Sequence, residues 1–333
     1  MGADLAVPTL FCPFPSRVSE HAEEADGHTL DWLSEQNLLS AHDFDHFRDY
    51  RCGWLAARAY PNADLDRLLL ASDWIGWLCA LDNHCDESGL GARPAQLTRV
   101  LARLGEILLS PKPQAASHDG PLEAGLADLL QRMSAWSSPG WRSEFVRDVD
   151  IFFDALVWES GIHAQGTTPS LEEYLEMRPR SSAMDHCVDL IALIEGIEAP
   201  AALRASAPFE LLRSKAINVV CWANDLVSLE RELDSGVPQN LVIVVQHARG
   251  CSLEEAQQVV VGMHDAEVRS FVDVQAQATA DAPLDEGTEA YLLGLRCWMR
   301  GNLEWSHETA RYSVGSWHDH EQLLNRTQNR RDV

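Results

Sequence analysis

An all-α fold is what this 333-residue chain predicts. Apolar residues recur at the helical spacing of about 3.6 almost everywhere after residue 28, and clusters of Gly, Pro and Ser punctuate those stretches. No period-2 run of Val, Ile and Thr has a convincing length; Leu241–Val245 is short enough to be a turn of buried helix. There is no linker run, composition shift or repeat of fixed period, so one large domain is expected.

Residues 1–27 are expected to form an N-terminal strap, because Pro8, Pro13 and Pro15 forbid a regular helix and Phe11 and Phe14 lie between them. Helical periodicity then covers about 41–60, 63–88, 94–109, 121–136, 141–164, 170–197, 208–235, 252–279 and 286–325. These segments make a bundle over 28–325, with 326–333 as a tail. Breakers separate them at 89–91, 110–113, 138–140, 198–200 and 235–238. Ser170 with Glu173 and Ser252 with Glu255 have the spacing of capping boxes, which fixes two helix starts.

Composition removes several functions. With 26 Lys plus Arg against 51 Asp plus Glu, the net charge of −25 opposes binding to nucleic-acid phosphates or to an anionic membrane surface. No apolar run reaches the roughly 18 residues that span a bilayer, and the N-terminus lacks a secretory leader pattern. A cytoplasmic protein is expected. The eight cysteines are scattered without CxxC spacing and read as reduced thiols. Eleven Trp outnumber nine Phe and five Tyr, so large electron-rich rings are unusually available. His84, His163 and His186 lack metal-ligand spacing, Ser16, Ser72 and Ser316 lack a GxSxG context, and no phosphate-binding glycine loop is present.

Two helical stretches carry the chemistry. Asp82 and Asp86, with Glu87 beside them, follow the apolar run Trp74–Leu81, and carboxylates four apart project from one helix face. They repel unless a cation sits between them, and such a pair suits Mg²⁺. On the segment at 208–235, Asn224, Ser228 and Glu232 fall at i, i+4 and i+8. This stripe of amide, hydroxyl and carboxylate oxygens suits a second Mg²⁺.

Asp82–Glu87 resembles the aspartate-rich motif, and Asn224–Glu232 the NDxxSxxxE motif, of bacterial class I terpene synthases. Further pieces agree in order: Tyr174–Arg178 is similar to the YLxxR segment, whose Arg senses substrate diphosphate, and Ser181 and Ser182 fall at the linker and effector positions of a helix break. Trp305–Tyr312 is similar to the C-terminal W…RY motif, and Pro13–Arg17 and Gln239–Val242 also look familial. Three departures are visible. Asn83 replaces a second Asp, Ser182 stands where Gly is common, and Arg231 replaces the more frequent Lys.

The resemblance implies a single class I terpenoid synthase α-helical bundle with a central active-site cavity, acting as a lyase with three Mg²⁺ ions. Asp82, Asp86, Glu87, Asn224, Ser228 and Glu232 would hold the metals; Arg178, Arg231, Arg311 and Tyr312 would grip the diphosphate. Asp82, Arg178, Ser181 and Ser182 would be catalytic. Trp74, Trp77, Phe152, Phe153 and Trp305, with Trp222 and Trp298 as further candidates, would line the cavity and attract the carbocation. By helix phase Trp74 lies about 80° from Asp82 and Trp77 about 140° from it, so Trp74 is expected nearer the metal-bearing face, where its bulk would shorten the pocket. Farnesyl diphosphate is therefore the expected substrate, converted to a sesquiterpene hydrocarbon or alcohol with release of pyrophosphate. Geranyl or geranylgeranyl diphosphate is the alternative. A chain-elongating prenyl diphosphate synthase would carry two aspartate-rich motifs and many lysines, whereas this chain has only Lys112 and Lys215. A non-catalytic scaffold would release no pyrophosphate. The resemblance leaves a homodimer open. Without metal, repulsion among the acids should hold the mouth open.

Overall fold

The computed structural model describes residues 7–39, 43–87, 89–116, 119–197, 206–235, 239–278 and 284–312, with the backbone alone at Asp86, Glu87 and Ser235. Every regular element among them is helical: α1 (Ala22–Glu35), α2 (Phe44–Tyr50), α3 (Cys52–Ala59), α4 (Leu65–Glu87), α5 (Pro94–Leu109), α6 (Pro121–Met133), α7 (Pro139–Gln165), α8 (Leu171–Ser181), α9 (Met184–Ile194), α10 (Ala207–Ser235), α11 (Leu241–Arg249), α12 (Leu253–Ala278) and α13 (Glu286–Glu308), plus one 3₁₀ turn at Leu90–Ala92.

Local chemistry sets the boundaries. Ser138, Ser170, Asn240 and Asp285 each accept a backbone N–H of the first turn of the helix they precede, and proline opens α5, α6 and α7. Gly166 and Gly250 close α7 and α11 in the left-handed conformation. Leu241–Val245 is the start of a helix, buried throughout except at Ile243.

Four expectations of extent are corrected. Helix α1 begins at Ala22, inside the expected strap, because acidic Glu23 and Glu24 favour a helix start and Leu30, Trp32 and Leu33 bury against the bundle. The expected 41–60 helix is two helices, split where Arg51 adopts φ 56°. The expected 170–197 helix is broken between α8 and α9. Helix α13 stops at Glu308, and Thr309–Tyr312 are not helical; the tail at 326–333 lies outside the described residues.

The remaining strap, from residue 7, runs extended over α12 and α13. Phe14 meets Phe271 edge-on at 5.8 Å, the Phe11 N–H donates to Asp265, and the Ser16 hydroxyl donates to Glu304. Helices α3, α4, α7, α8, α9, α10 and α13 close a ring: α4 packs on α3 and α9, α7 on α8 and α9, and α13 on α10 and α3. Two close approaches require glycine. A Cβ on Gly53 would stand 2.2 Å from the Asp26 nitrogen of α1, and one on Gly301 of α13 would stand 2.7 Å from the Arg58 Cβ of α3. No described helix is long and apolar enough to cross a membrane.

Candidate active site

At the end of the ring where α4 and α10 finish, the motif residues converge. Asp225 is 1% exposed and forms the hub of one wall. Its carboxylate accepts from Arg178 Nε at 2.8 Å, from the Tyr174 hydroxyl at 2.9 Å and from the Leu241 N–H at 3.2 Å. Such a saturated, buried carboxylate holds Arg178 rather than a metal. A second fork of Arg178 reaches Asn224 Oδ1 at 2.8 Å, and Asn224 Nδ2 donates to the Tyr312 hydroxyl at 2.7 Å. Ser228 Oγ donates to the Asn224 carbonyl, and Asn240 Nδ2 donates to Glu232 Oε2 at 2.9 Å. Burial and the nearby Asp225 carboxylate push Glu232 up to about 7.

The opposite wall is Asp82, whose side chain is half exposed. Arg311 Nη2 donates to its Oδ2 at 2.5 Å, and the Arg311 guanidinium lies over the Tyr50 ring at 5.0 Å. Arg231 Nη1 donates to the Arg311 carbonyl at 3.2 Å. Trp305 Nε1 donates to the Tyr50 and Arg51 carbonyls, and the Thr309 hydroxyl also donates to Tyr50. Tyr312 meets the Trp305 ring edge-on at 5.8 Å, and burial pushes its hydroxyl up to about 12. The segment Thr309–Tyr312 therefore spans both walls. This corrects the expectation of a mouth held open by repulsion: Arg311 neutralises Asp82, and Tyr312 is tied to Asn224.

The helix break between α8 and α9 has an identifiable chemistry. Pro179 lacks an N–H, the Ser182 hydroxyl donates to the Pro179 carbonyl at 2.7 Å, and the Met184 N–H donates back to Ser182 Oγ at 3.2 Å. The left-handed residue is Ala183, at φ 64°, while Ser182 has ordinary helical angles. Serine in place of glycine at 182 is thus accommodated without strain. Ser181 is buried and its hydroxyl donates to the Arg178 carbonyl at 3.5 Å. Burial pushes Glu159 of α7 up to about 7, with Ser181 and Arg178 opposing that shift.

Which rings line the space is decided by residual exposure. Trp74 and Trp77 expose no surface, so neither forms a wall. Trp77 Nε1 donates to the Leu122 carbonyl of α6, and Trp74 stacks on Trp77 at 5.4 Å and abuts Phe145 at 5.1 Å and His186 at 5.3 Å. The expectation that Trp74 shortens the pocket is corrected: its side of α4 is covered by α7 and α9. Ile75 at 4%, Cys79 at 8% and half-buried Leu78 keep surface instead, within about 60° of Asp82 in helix phase. Phe152 and Phe153 keep 7% and 4%, Phe152 facing His186 at 5.1 Å. Trp298 packs edge-on to Tyr60, and Trp222 lies about 200° from Asn224 around α10. His186 is fully buried among these rings, where desolvation lowers it to about 3 and keeps it neutral.

Sequence reasoning missed three residues: Asp225 as the Arg178 anchor, Asn240 beneath Glu232, and Glu159. Asp225 and Asn240 sit inside the motifs already singled out, so their signal was present. Glu159 carried none. Among the described residues no three His, Cys, Asp or Glu side chains form a group that could hold a metal ion by themselves. The donors at hand are Asn224 amide, Ser228 hydroxyl and Glu232 carboxylate oxygens facing Asp82, which fit a hard divalent cation. The Asp86 and Glu87 side chains lie outside the described part.

Residues 73–270 match the family model described as terpene synthase family 2, C-terminal metal binding. The chain is 36% identical over 305 residues to a (+)-T-muurolol synthase, (2E,6E)-farnesyl diphosphate cyclizing, of Roseiflexus castenholzii, covering 91% of this chain and 93% of that one. It is 30% identical to a germacrene A synthase of Nostoc punctiforme, covering 92% and 95%. The fold superposes with a TM-score of 0.84 on the crystal structure of the SVS_A2 protein from ancestral sequence reconstruction, at 27% identity and covering 91% and 90%.

Proposed function

The chain belongs to the terpene synthase family, and from that premise we propose that it ionises and cyclises farnesyl diphosphate to a sesquiterpene hydrocarbon or alcohol, releasing pyrophosphate. The observation that carries the reading is the clasp of Arg178, Arg311 and Tyr312 between Asp82 and the Asn224–Glu232 stripe. Its donors converge where a leaving diphosphate would develop charge. The 36% identical relative is named as cyclising farnesyl diphosphate, which supports the C15 chain length independently of Trp74.

Asp82, Asn224, Ser228 and Glu232 would hold Mg²⁺, with Asp86 and Glu87 as further candidates. When bound, the metal supplies charge neutralisation of the leaving group. Arg178, prepositioned by Asp225, would exchange the Asn224 oxygen for a diphosphate oxygen. Because Arg178 lies in the last turn of α8, which breaks at Ser182–Ala183, its movement would be felt by Ser181 and Ser182, the linker and effector. Arg311 would turn from Asp82 to the diphosphate, and Arg231 and the Tyr312 hydroxyl would complete the grip. Below them Ile75, Leu78, Cys79, Phe152 and Phe153 would form a dry wall, with Trp74 and Trp77 acting only as its support. Trp305 would brace Tyr312.

The test is incubation of the purified chain with geranyl, farnesyl and geranylgeranyl diphosphate, with and without Mg²⁺, followed by gas chromatography and pyrophosphate assay. Cyclic C15 products formed only with Mg²⁺ are expected. Turnover confined to the C10 or C20 substrate would overturn the chain length, and no pyrophosphate from any of them would overturn the function.

A further inference from the structure

We propose that Cys52 and Cys79 form a redox modification site: a hydroperoxide that enters the cavity joins them in a disulfide that disables the metal-bearing wall. The two sulfurs lie 3.9 Å apart, Cys52 on α3 and Cys79 on α4, both buried. Cys79 is one turn before Asp82, within about 60° of it in helix phase, and keeps 8% exposure against 4% for Cys52. Buried cysteines are ordinarily core filler, but these two bring their sulfurs to donor distance from two different helices, one of which carries Asp82 a turn further on.

The microenvironment is that of a reactive thiol. Cys52 donates its S–H to Cys79, and with the Arg311 and Arg231 guanidiniums nearby the Cys79 thiol is held below its ordinary value, against the effect of burial. In the first step the Cys79 thiolate attacks one peroxide oxygen, the O–O bond breaks, and sulfenic acid and hydroxide form. In the second, Cys52 sulfur attacks the Cys79 sulfur and the S–O bond breaks. The departing hydroxide takes the Cys52 proton, so two thiols and one hydroperoxide give one disulfide and, with hydrogen peroxide, two waters. Two electrons leave the sulfurs and reduce the peroxide bond.

Closure asks the sulfurs to approach from 3.9 Å to about 2.05 Å. Rotation about the two Cα–Cβ bonds supplies part of that movement, and helix α3 can yield little of the rest at Cys52. The next residue, Gly53, donates its N–H to Asp26 at 2.9 Å and already meets the α1 backbone too closely for a Cβ. What side-chain rotation does not supply would fall on α4, which carries Asp82 one turn further on, and would draw Asp82 from its place opposite the α10 stripe. A displacement of that order at a metal wall costs about 10²-fold in turnover. That loss rests on the cyclase reading; formation of the bond does not.

The experiment exposes the full purified chain to hydrogen peroxide, quenches free thiols, and measures intact mass and non-reduced peptides, with turnover of farnesyl diphosphate followed in parallel. Expected are the loss of two hydrogens, a linked peptide pair containing Cys52 and Cys79, and a fall in turnover that dithiothreitol reverses. Cys52→Ala should turn over normally in reducing buffer, form no linked pair, and leave a sulfenic acid on Cys79 that dimedone traps. Oxidation confined to Cys12, Cys85 or Cys251, with Cys52 and Cys79 still alkylatable, would overturn the proposal. So would a linked pair that leaves turnover unchanged. A wild-type chain inactive on every diphosphate before oxidation would instead overturn the proposed function, while the peptide map still decides whether the bond forms.

Discussion

At the scale of single residues, the site separates groups that hold from groups that react. Asp225 is fully occupied by Arg178, Tyr174 and the Leu241 N–H, whereas Glu232 is steadied by Asn240 on the stripe that faces Asp82. Glu232→Gln is accordingly expected to abolish nearly all turnover while leaving the urea midpoint close to wild type, because the lost charge holds a metal and not the core. Asp225→Asn should lose both: its buried partner Arg178 is left unpaired, a cost of about 3–5 kcal/mol. Equal unfolding midpoints for the two variants would show that Asp225 is not the anchor. On the other wall Asp82→Asn should be far more damaging than Asn83→Ala, since Asn83 Nδ2 makes only a long contact of 3.4 Å to the Tyr50 hydroxyl. Kinetics with Mg²⁺ titrated over a wide range would compare them.

At the scale of elements, the break between α8 and α9 is the part that must bend correctly. Ser182 takes the Pro179 carbonyl and caps Met184, so Ser182→Ala should cost about 1 kcal/mol, as lost caps do. Ala183→Gly should be neutral or stabilising because φ 64° penalises any Cβ. Denaturant midpoints that fall equally in both variants would place the strain elsewhere. The stripe Asn224–Ser228–Glu232 and the arginines were legible in the sequence, because spacing on one helix fixes a face. What spacing does not fix is the neighbour. The 80° phase of Trp74 was correct as an angle and misleading as a location, since α7 and α9 cover that side of α4. Arg178 and Asp225 lie 47 residues apart in sequence, and no local pattern announces that they meet. The split of 41–60 at Arg51 escaped for another reason: a non-glycine left-handed residue leaves no compositional mark.

At the scale of the whole molecule, buried charge sets the response to pH. Arg213 gathers three carboxylates, from Asp148, Asp185 and Asp189, between α7, α9 and α10. Burial and the neighbouring Asp148 and Asp185 push Asp189 up to about 8, with Arg213 pulling against them. A carboxyl raised in the folded state stabilises it fully below the unfolded value near 3.8, and that stabilisation is lost as pH rises through about 8. Asp189→Asn imitates the protonated acid and does not ionise when unfolded, so its advantage over wild type in urea unfolding should grow steadily from about pH 5 to about pH 9. If the gap between the two proteins is the same at both pH values, Asp189 does not carry that proton. With a net charge of −25, added neutral salt should also raise the midpoint at neutral pH by screening self-repulsion.

The clasp has one more property, which concerns time rather than chemistry. Asp82 meets Arg311 across 229 residues, Tyr50 meets Trp305 across 255, and Ser16 meets Glu304 across 288. Contacts of such separation close the longest loops in the chain and repay their entropy only after the helices between them are in place. During refolding, helical circular dichroism should therefore recover ahead of the ability to turn over substrate. The reacting centre is the last part of the molecule to exist, and its appearance clocks the completion of the fold.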